Sequence, residues 1–132
     1  KYFLIVLFVF FEFNFQSLNA LTMDNLNENI IEELRLNVPN QYKESWLKAE
    51  KDVWEPWLAK QDGFLGRQIF YNKAKGEALL LVNWKNKKLW KSISLEEVNK
   101  MQSIFEDTIK KDLGLTLNPF ELIYEGELQK QK

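Results

Sequence analysis

Arg67, Tyr71 and Asn83 are polar residues set among tryptophans, with Trp57 before them and Trp84 and Trp90 after. A guanidinium, a phenol and an amide converging between aromatic walls could orient a flat organic ligand. These six residues form a candidate ligand pocket but not a self-sufficient catalytic set. Zero His and zero Cys among 132 residues remove imidazole bases, thiolate nucleophiles, disulfides, Ser-His triads and the usual zinc-finger ligands. No catalytic residue, metal ligand or cofactor is therefore assigned. Lys and Arg number 18 against 19 Asp and Glu, a net charge of −1 that leaves no basic field for phosphates and excludes a general nucleic-acid binder.

Other groupings have plain structural explanations. Glu32-Glu33 lies on a strand, where neighbours point to opposite faces, and Glu96-Glu97 suits the positive end of a helix dipole. Neither predicts an acid-base dyad. Gly63 and Gly66 lack the glycine-rich run and Lys-Ser/Thr of a phosphate loop. Lys85, Lys87, Lys88 and Lys91 read as a solvated face, with anionic lipid or an acidic protein surface as the alternative.

The elements that would position these residues are legible from hydrophobic period. Ile30 to Val38 alternates, with Leu34, Leu36 and Val38 on one face and Glu33, Arg35 and Asn37 on the other, which predicts a strand. After Pro39-Asn40, the residues Tyr42, Trp46, Ala49, Val53 and Trp57 recur every three or four positions and predict a helix. Pro56 has no amide hydrogen and crowds the preceding turn, so this helix should kink or restart near Asp52 to Glu55, and Gly63 closes it. Leu65 to Asn72 and Glu77 to Trp84 predict two strands of a hairpin joined through Lys-Ala-Lys-Gly. Asn86 to Lys91 makes one helical turn. Ser94 and Glu97 have capping-box spacing ahead of a longer helix, whose stripe is Leu95, Val98, Met101, Phe105, Ile109 and Leu113 and whose stop is Gly114. Phe120, Leu122 and Tyr124 alternate with Glu121, Ile123 and Glu125 in a last strand, and residues 129–132 form a tail.

The order β-α-β-β-α-β predicts an α+β, ferredoxin-like sandwich: a four-stranded antiparallel sheet with two helices on one face. The first and third strands are central. The third is apolar on both sides, with Ala78, Leu80, Val82 and Trp84 alternating with Leu79 and Leu81, so both faces call for cover. The face away from the helices would show Ile31, Phe70, Leu79, Leu81 and Ile123, a candidate interface. A stable partner buries about 800 Å² there, which predicts a sheet-to-sheet homodimer, with a different protein or a membrane surface as alternatives.

The amino terminus has another character. Ten apolar residues, Tyr2 to Phe11, follow Lys1 and end at Glu12. A twenty-residue span would carry Glu12 near its centre at a cost of roughly 2.5 to 3.5 kcal/mol. Residues 1–20 therefore read as a signal-like segment, or as an anchor touching a membrane through residues 2–13 if retained. Residues 21–29 read as a linker and residues 30–128 as the folded domain.

Beyond period and composition, the spacing of Val53-Trp54, Pro56-Trp57-Leu58, Gly63-Phe64-Leu65-Gly66, Val82-Asn83-Trp84 and Trp90-Lys91-Ser92-Ile93 resembles an uncharacterised group in the dimeric α/β-barrel superfamily. That group is related to antibiotic-biosynthesis monooxygenase domains and known mainly from oxygenic phototrophs. The resemblance implies a ferredoxin-like protomer dimerising through its sheets, and a place in the thylakoid lumen or membrane. Some relatives are cofactor-independent oxygenases that use Asn, Trp and Arg; the haem-degrading ones need a His that this chain lacks. Two functions follow as expectations. The preferred one is a noncatalytic binding or assembly module, exported or membrane-attached, accompanying a photosynthetic membrane complex. The alternative is a cofactor-independent monooxygenase of an aromatic small molecule, with Arg67 and Asn83 stabilising a developing anion. That alternative needs an open cavity beside Trp57, Trp84 and Trp90.

Overall fold

Strand β1 (Ile30–Asn37) is the spine of the sheet, pairing with β3 (Glu77–Trp84) on one side and β4 (Glu121–Gln129) on the other. Strand β2 (Phe64–Asn72) pairs with the outer side of β3, and the all-antiparallel order is β2-β3-β1-β4. The ferredoxin-like arrangement expected from the element order is thus the observed fold. The computed structural model describes residues 28–132. The leader, the membrane contact through residues 2–13 and most of the linker lie outside the described residues. Among the described residues no helix is long and apolar enough to cross a membrane.

Period-two alternation decides what faces the helices. Ala78, Leu80, Val82 and Trp84 of β3 are all at most 3% exposed, while the intervening Leu79 and Leu81 are half-buried. By register, Ile30, Glu32, Leu34 and Leu36 of β1 share the helix-facing side, as do Phe64, Arg67, Ile69 and Tyr71 of β2.

The first helical segment is not one helix. Helix α1 (Lys43–Ala49) passes into a π-helical stretch, Glu50–Trp54, and resumes as α2 (Glu55–Leu58). Pro56 explains the irregularity expected there: with no N–H for the carbonyl four residues back, the chain loses little by widening its turn. Trp46, Ala49 and Val53 are buried against the sheet with Phe105 and Ile109 of α4 (Leu95–Leu113), and Trp46 meets Phe120 edge to face. Ser94 caps α4 by accepting from the Glu97 N–H at 3.2 Å, a cap worth about 1 kcal/mol. Gly114 ends that helix at φ +65°. Leu95 departs from the expected stripe, being 38% exposed at the helix's first turn.

Short helix α3 (Lys87–Lys91) is capped by Asn86, whose side-chain oxygen accepts from the Leu89 N–H at 2.8 Å. Its Trp90 packs with Ile30, Leu58, Val82 and Trp84 in a second buried cluster. The α3 backbone sits close because position 63 is glycine: a Cβ there would lie 2.8 Å from the Leu89 Cβ.

Strand β4 corrects one expectation. The register slips between Arg35 and Leu36, so Leu36 pairs with Leu122 and Arg35 with Tyr124, leaving Ile123 in a bulge. Leu122 and Glu125 consequently face the helices, and Tyr124 turns to the open side, where Arg35 stands 5.8 Å from its ring. The regular Phe120-Leu122-Tyr124 face therefore does not exist. The strand also runs through Gln129, one residue into the expected tail.

Candidate active site

A cavity of about 390 Å³ lies between sheet and helices, where the two buried clusters adjoin. Its walls include Trp54, Trp57, Trp84 and Trp90. Trp54 and Trp57 meet edge to face at 5.6 Å, and Phe64 braces Trp84 at 5.8 Å. The π-helical stretch and α2 bring Trp54 and Trp57 in from above, and α3 brings Trp90 from the side.

The floor contains one row of residues across all four strands. Arg67 pairs with Val82, Val82 with Glu32, and Glu32 with Glu127, all on the helix-facing side. Polar groups thus flank an apolar centre. The Arg67 side chain is 5% exposed and forms an ion pair with Glu50, Nη1 to Oε2 at 2.5 Å. Its Nη2 donates to the Glu50 carbonyl at 3.3 Å and lies 3.6 Å from Glu55. The π-helical turn opens at Glu50, so the departure from α-helix delivers this carboxylate to β2. Burial pushes the Glu50 carboxyl up, and the Arg67 guanidinium opposes that push.

Glu32 is 4% exposed, and its Oε2 accepts from the Trp84 Nε1–H at 3.2 Å. Burial pushes its carboxyl up to about 7; the Trp84 hydrogen bond pulls against that, Glu125 adds to it and Lys91 opposes it. Lys87 and Lys91 lie 2.9 and 3.9 Å from Glu127, and all three side chains are about one-third exposed, which marks where the cavity meets solvent. These two lysines thus join β4 to α3 instead of forming part of a wholly solvated face. Lys91 also stands 3.7 Å from the Trp90 ring.

Of the six expected pocket residues, Trp57, Arg67, Trp84 and Trp90 line the cavity and Tyr71 and Asn83 do not. Asn83 pairs with Ile31 and Gly66 on the opposite face, because adjacent strand residues cannot share a side with Trp84. Its expected role beside Arg67 is therefore corrected. Tyr71 faces the helices at the far end of β2, where its hydroxyl donates to the Val38 carbonyl at 2.9 Å and contacts Asn40. Glu32, read from the sequence only as a strand residue with no acid-base role, and Glu50, which the sequence reading does not single out, are the two carboxylates of the cavity. Glu32 is two residues from Leu34 on the same face, and Glu50 follows Trp46 by four on the same helical side. Either spacing could have exposed a carboxylate in an apolar stripe. Among the described residues no group of three or more His, Cys, Asp or Glu could hold a metal ion.

On the open face, Ile31, Phe70, Leu79 and Leu81 share one side by register, and Ile123 sits in the β4 bulge. Phe70 and Ile123 are 50% and 51% exposed, whereas Ile31, Leu79 and Leu81 are half-buried within the protomer.

No family model matches the chain, and no curated protein does. Solved structures do. A monooxygenase from Streptomyces coelicolor, solved with nanaomycin D, superposes with a TM-score of 0.56 at 7% identity, over 83% of this chain and 93% of its own. SnoaB, a cofactor-independent oxygenase from Streptomyces nogalater, gives 0.53 at 12%, over 80% and 95%. A Bordetella bronchiseptica protein provisionally named an antibiotic biosynthesis monooxygenase gives 0.55 at 15%, over 80% and 99%.

These neighbours, together with the cavity, overturn the preference for a noncatalytic module: the core beside Trp57, Trp84 and Trp90 is not sealed, and the similar structures carry oxygenase names. The leaning against an enzyme is corrected with it. At these identities the likeness establishes architecture, and the chain shares the ferredoxin-like fold of antibiotic-biosynthesis monooxygenase-like proteins.

Proposed function

We propose that the chain is an oxygenase of an electron-rich aromatic small molecule, held between Trp57, Trp84 and Trp90 and needing no resident cofactor. One observation carries the reading: the cavity of about 390 Å³ has tryptophan walls and buried charge at separate points, the layout of a site that holds a flat ring and addresses its substituents. The reaction balances as follows. A phenolic O–H and the ring C–H opposite it become two carbonyls, one atom of dioxygen enters the ring, and the other leaves as water with both hydrogens. The ring gives four electrons and dioxygen takes four. Arg67, held by Glu50, stands at the other end of the floor from Glu32, where it would address a substituent at the far end of the ring.

Hydroxylated polycyclic aromatics under isotopically labelled dioxygen test the reading. Oxygen uptake with one labelled atom in the product is expected, and Val82→Phe, which fills the floor, abolishes it. No uptake with any such compound overturns the proposal.

A second copy covering the open sheet face is part of the same proposal. Support comes from Phe70 and Ile123, each half exposed on the open side of the sheet, apolar surface that a second copy would cover. A thylakoid location and a phototroph family are proposals resting on the apolar run at residues 2–11 and on the resemblance. The solved structures give no support to a membrane-complex partner.

A further inference from the structure

The two carboxylates of the cavity are not equivalent. Glu50 is engaged by Arg67 through its side chain and its main chain. On Glu32, Oε2 takes the indole N–H of Trp84, and the carboxylate lies beside Val82 on the cavity floor. The charged groups around Glu32 are Glu125 and Glu127 from β4, Lys87 and Lys91 from α3, and the Arg67–Glu50 pair beyond Val82. Lys87 and Lys91 are drawn to Glu127 at the solvent side. Arg67 and Glu32 are two strands apart in one row, roughly 10 Å between backbones, a span that suits a fused two-ring aromatic with a substituent at each end.

Resting on the oxygenase reading of this site, we infer that Glu32 is its proton acceptor, and that the ligand is a hydroxylated aromatic lying over Val82 with its hydroxyl on Glu32 and its far end toward Arg67. The ligand's O–H bond breaks, the proton passes to a carboxylate oxygen of Glu32, and the electron pair stays on the ring oxygen as a phenolate. This step needs no oxidant; dioxygen enters afterwards. The carboxyl's midpoint of about 7 lets it take and return a proton near neutrality. Trp84 is a positioning residue, holding the carboxylate by its far oxygen.

Binding of beta-naphthol and its methyl ether to the full chain, measured by calorimetry across pH, tests the assignment without turnover. Above about pH 7 the naphthol is expected to bind tighter than the ether by about tenfold, the worth of a hydroxyl donated to a charged acceptor. The preference shrinks as pH falls through that value. Glu32→Gln removes the pH dependence. Trp84→Phe keeps an aromatic wall, though a smaller one, deletes the donor and moves the midpoint upward. A preference that does not vary with pH in the wild type, one that varies unchanged in Glu32→Gln, or failure of both compounds to bind overturns the inference. If Glu32→Gln does not fold by circular dichroism, the Trp84→Phe midpoint decides: an upward shift upholds the assignment and an unmoved one overturns it. Naphthol binding as expected, with no oxygen uptake from any aromatic, ends the oxygenase reading and leaves Glu32 as the acceptor.

Discussion

A carboxylate walled into apolar surroundings weakens the fold whenever it carries charge, and Glu32 shows how that weakening depends on pH. Its carboxyl titrates near 4.5 in an unfolded chain and at about 7 in the folded one. Between those values the folded state keeps a proton that the unfolded state has released, so stability falls as pH rises through the window and levels off above it. Glu32→Gln is therefore expected to be more stable than wild type above pH 7, by about 3 kcal/mol at most, and equal to it below pH 4.5. Urea titrations at several pH values measure this, and a gain independent of pH contradicts it. At the same scale, Val82→Phe is expected to fold at a cost of about 1 to 3 kcal/mol while excluding ligand, separating loss of the cavity from loss of the protein. The site was partly legible from residues alone. Aromatic clustering along the chain marks Trp57, Arg67, Trp84 and Trp90, whereas strand alternation turns Asn83 to the face opposite Trp84 and out of the pocket. Alternation separates Glu32 from Glu33 but does not say that Glu32 is buried, and the spacing of Glu50 alone does not distinguish it from a solvated helix position.

Elements carry these residues to one place, and two local features do most of the positioning. The π-helical turn at Glu50–Trp54 aims both Glu50 and Trp54 into the cavity. Pro56 announced an irregularity in this region, but the sequence did not specify a widened turn, since that depends on what Glu50 finds across the gap. Gly63 lets α3 rest against the turn that leads into β2. Gly63→Ala is expected to destabilise the protein by about 2 kcal/mol, through its φ of +83° and the clash with Leu89, and to weaken naphthol binding as Trp90 moves away. Thermal unfolding beside calorimetry checks both; unchanged binding contradicts the positioning role. The capping box at Ser94 and the stop at Gly114 were readable because each meets a local need of the chain. The β4 bulge was not, because a register slip is settled between two strands far apart in sequence.

For the whole molecule, the element order led to the topology, since antiparallel pairing and one-sided helix packing leave few arrangements of β-α-β-β-α-β. Function was harder to read: composition shows that imidazole and thiol chemistry are absent but not whether tryptophans fill a core or enclose a space. If a second copy covers the open face, wild type should run as a dimer in light scattering, and Phe70→Glu should yield monomer with its helical content intact. A wild type monomeric at high concentration contradicts that arrangement.

The missing histidines give the cavity an unusual electrical response. An imidazole sheds positive charge as the medium becomes alkaline; Glu32 instead acquires negative charge over the same interval. The cavity floor therefore gains one negative charge near neutrality, set against the lysines at its mouth. A ligand oxygen on Glu32 is held while it carries its hydrogen and repelled once both groups are ionised, so an acidic product would leave that carboxylate faster in mildly basic medium.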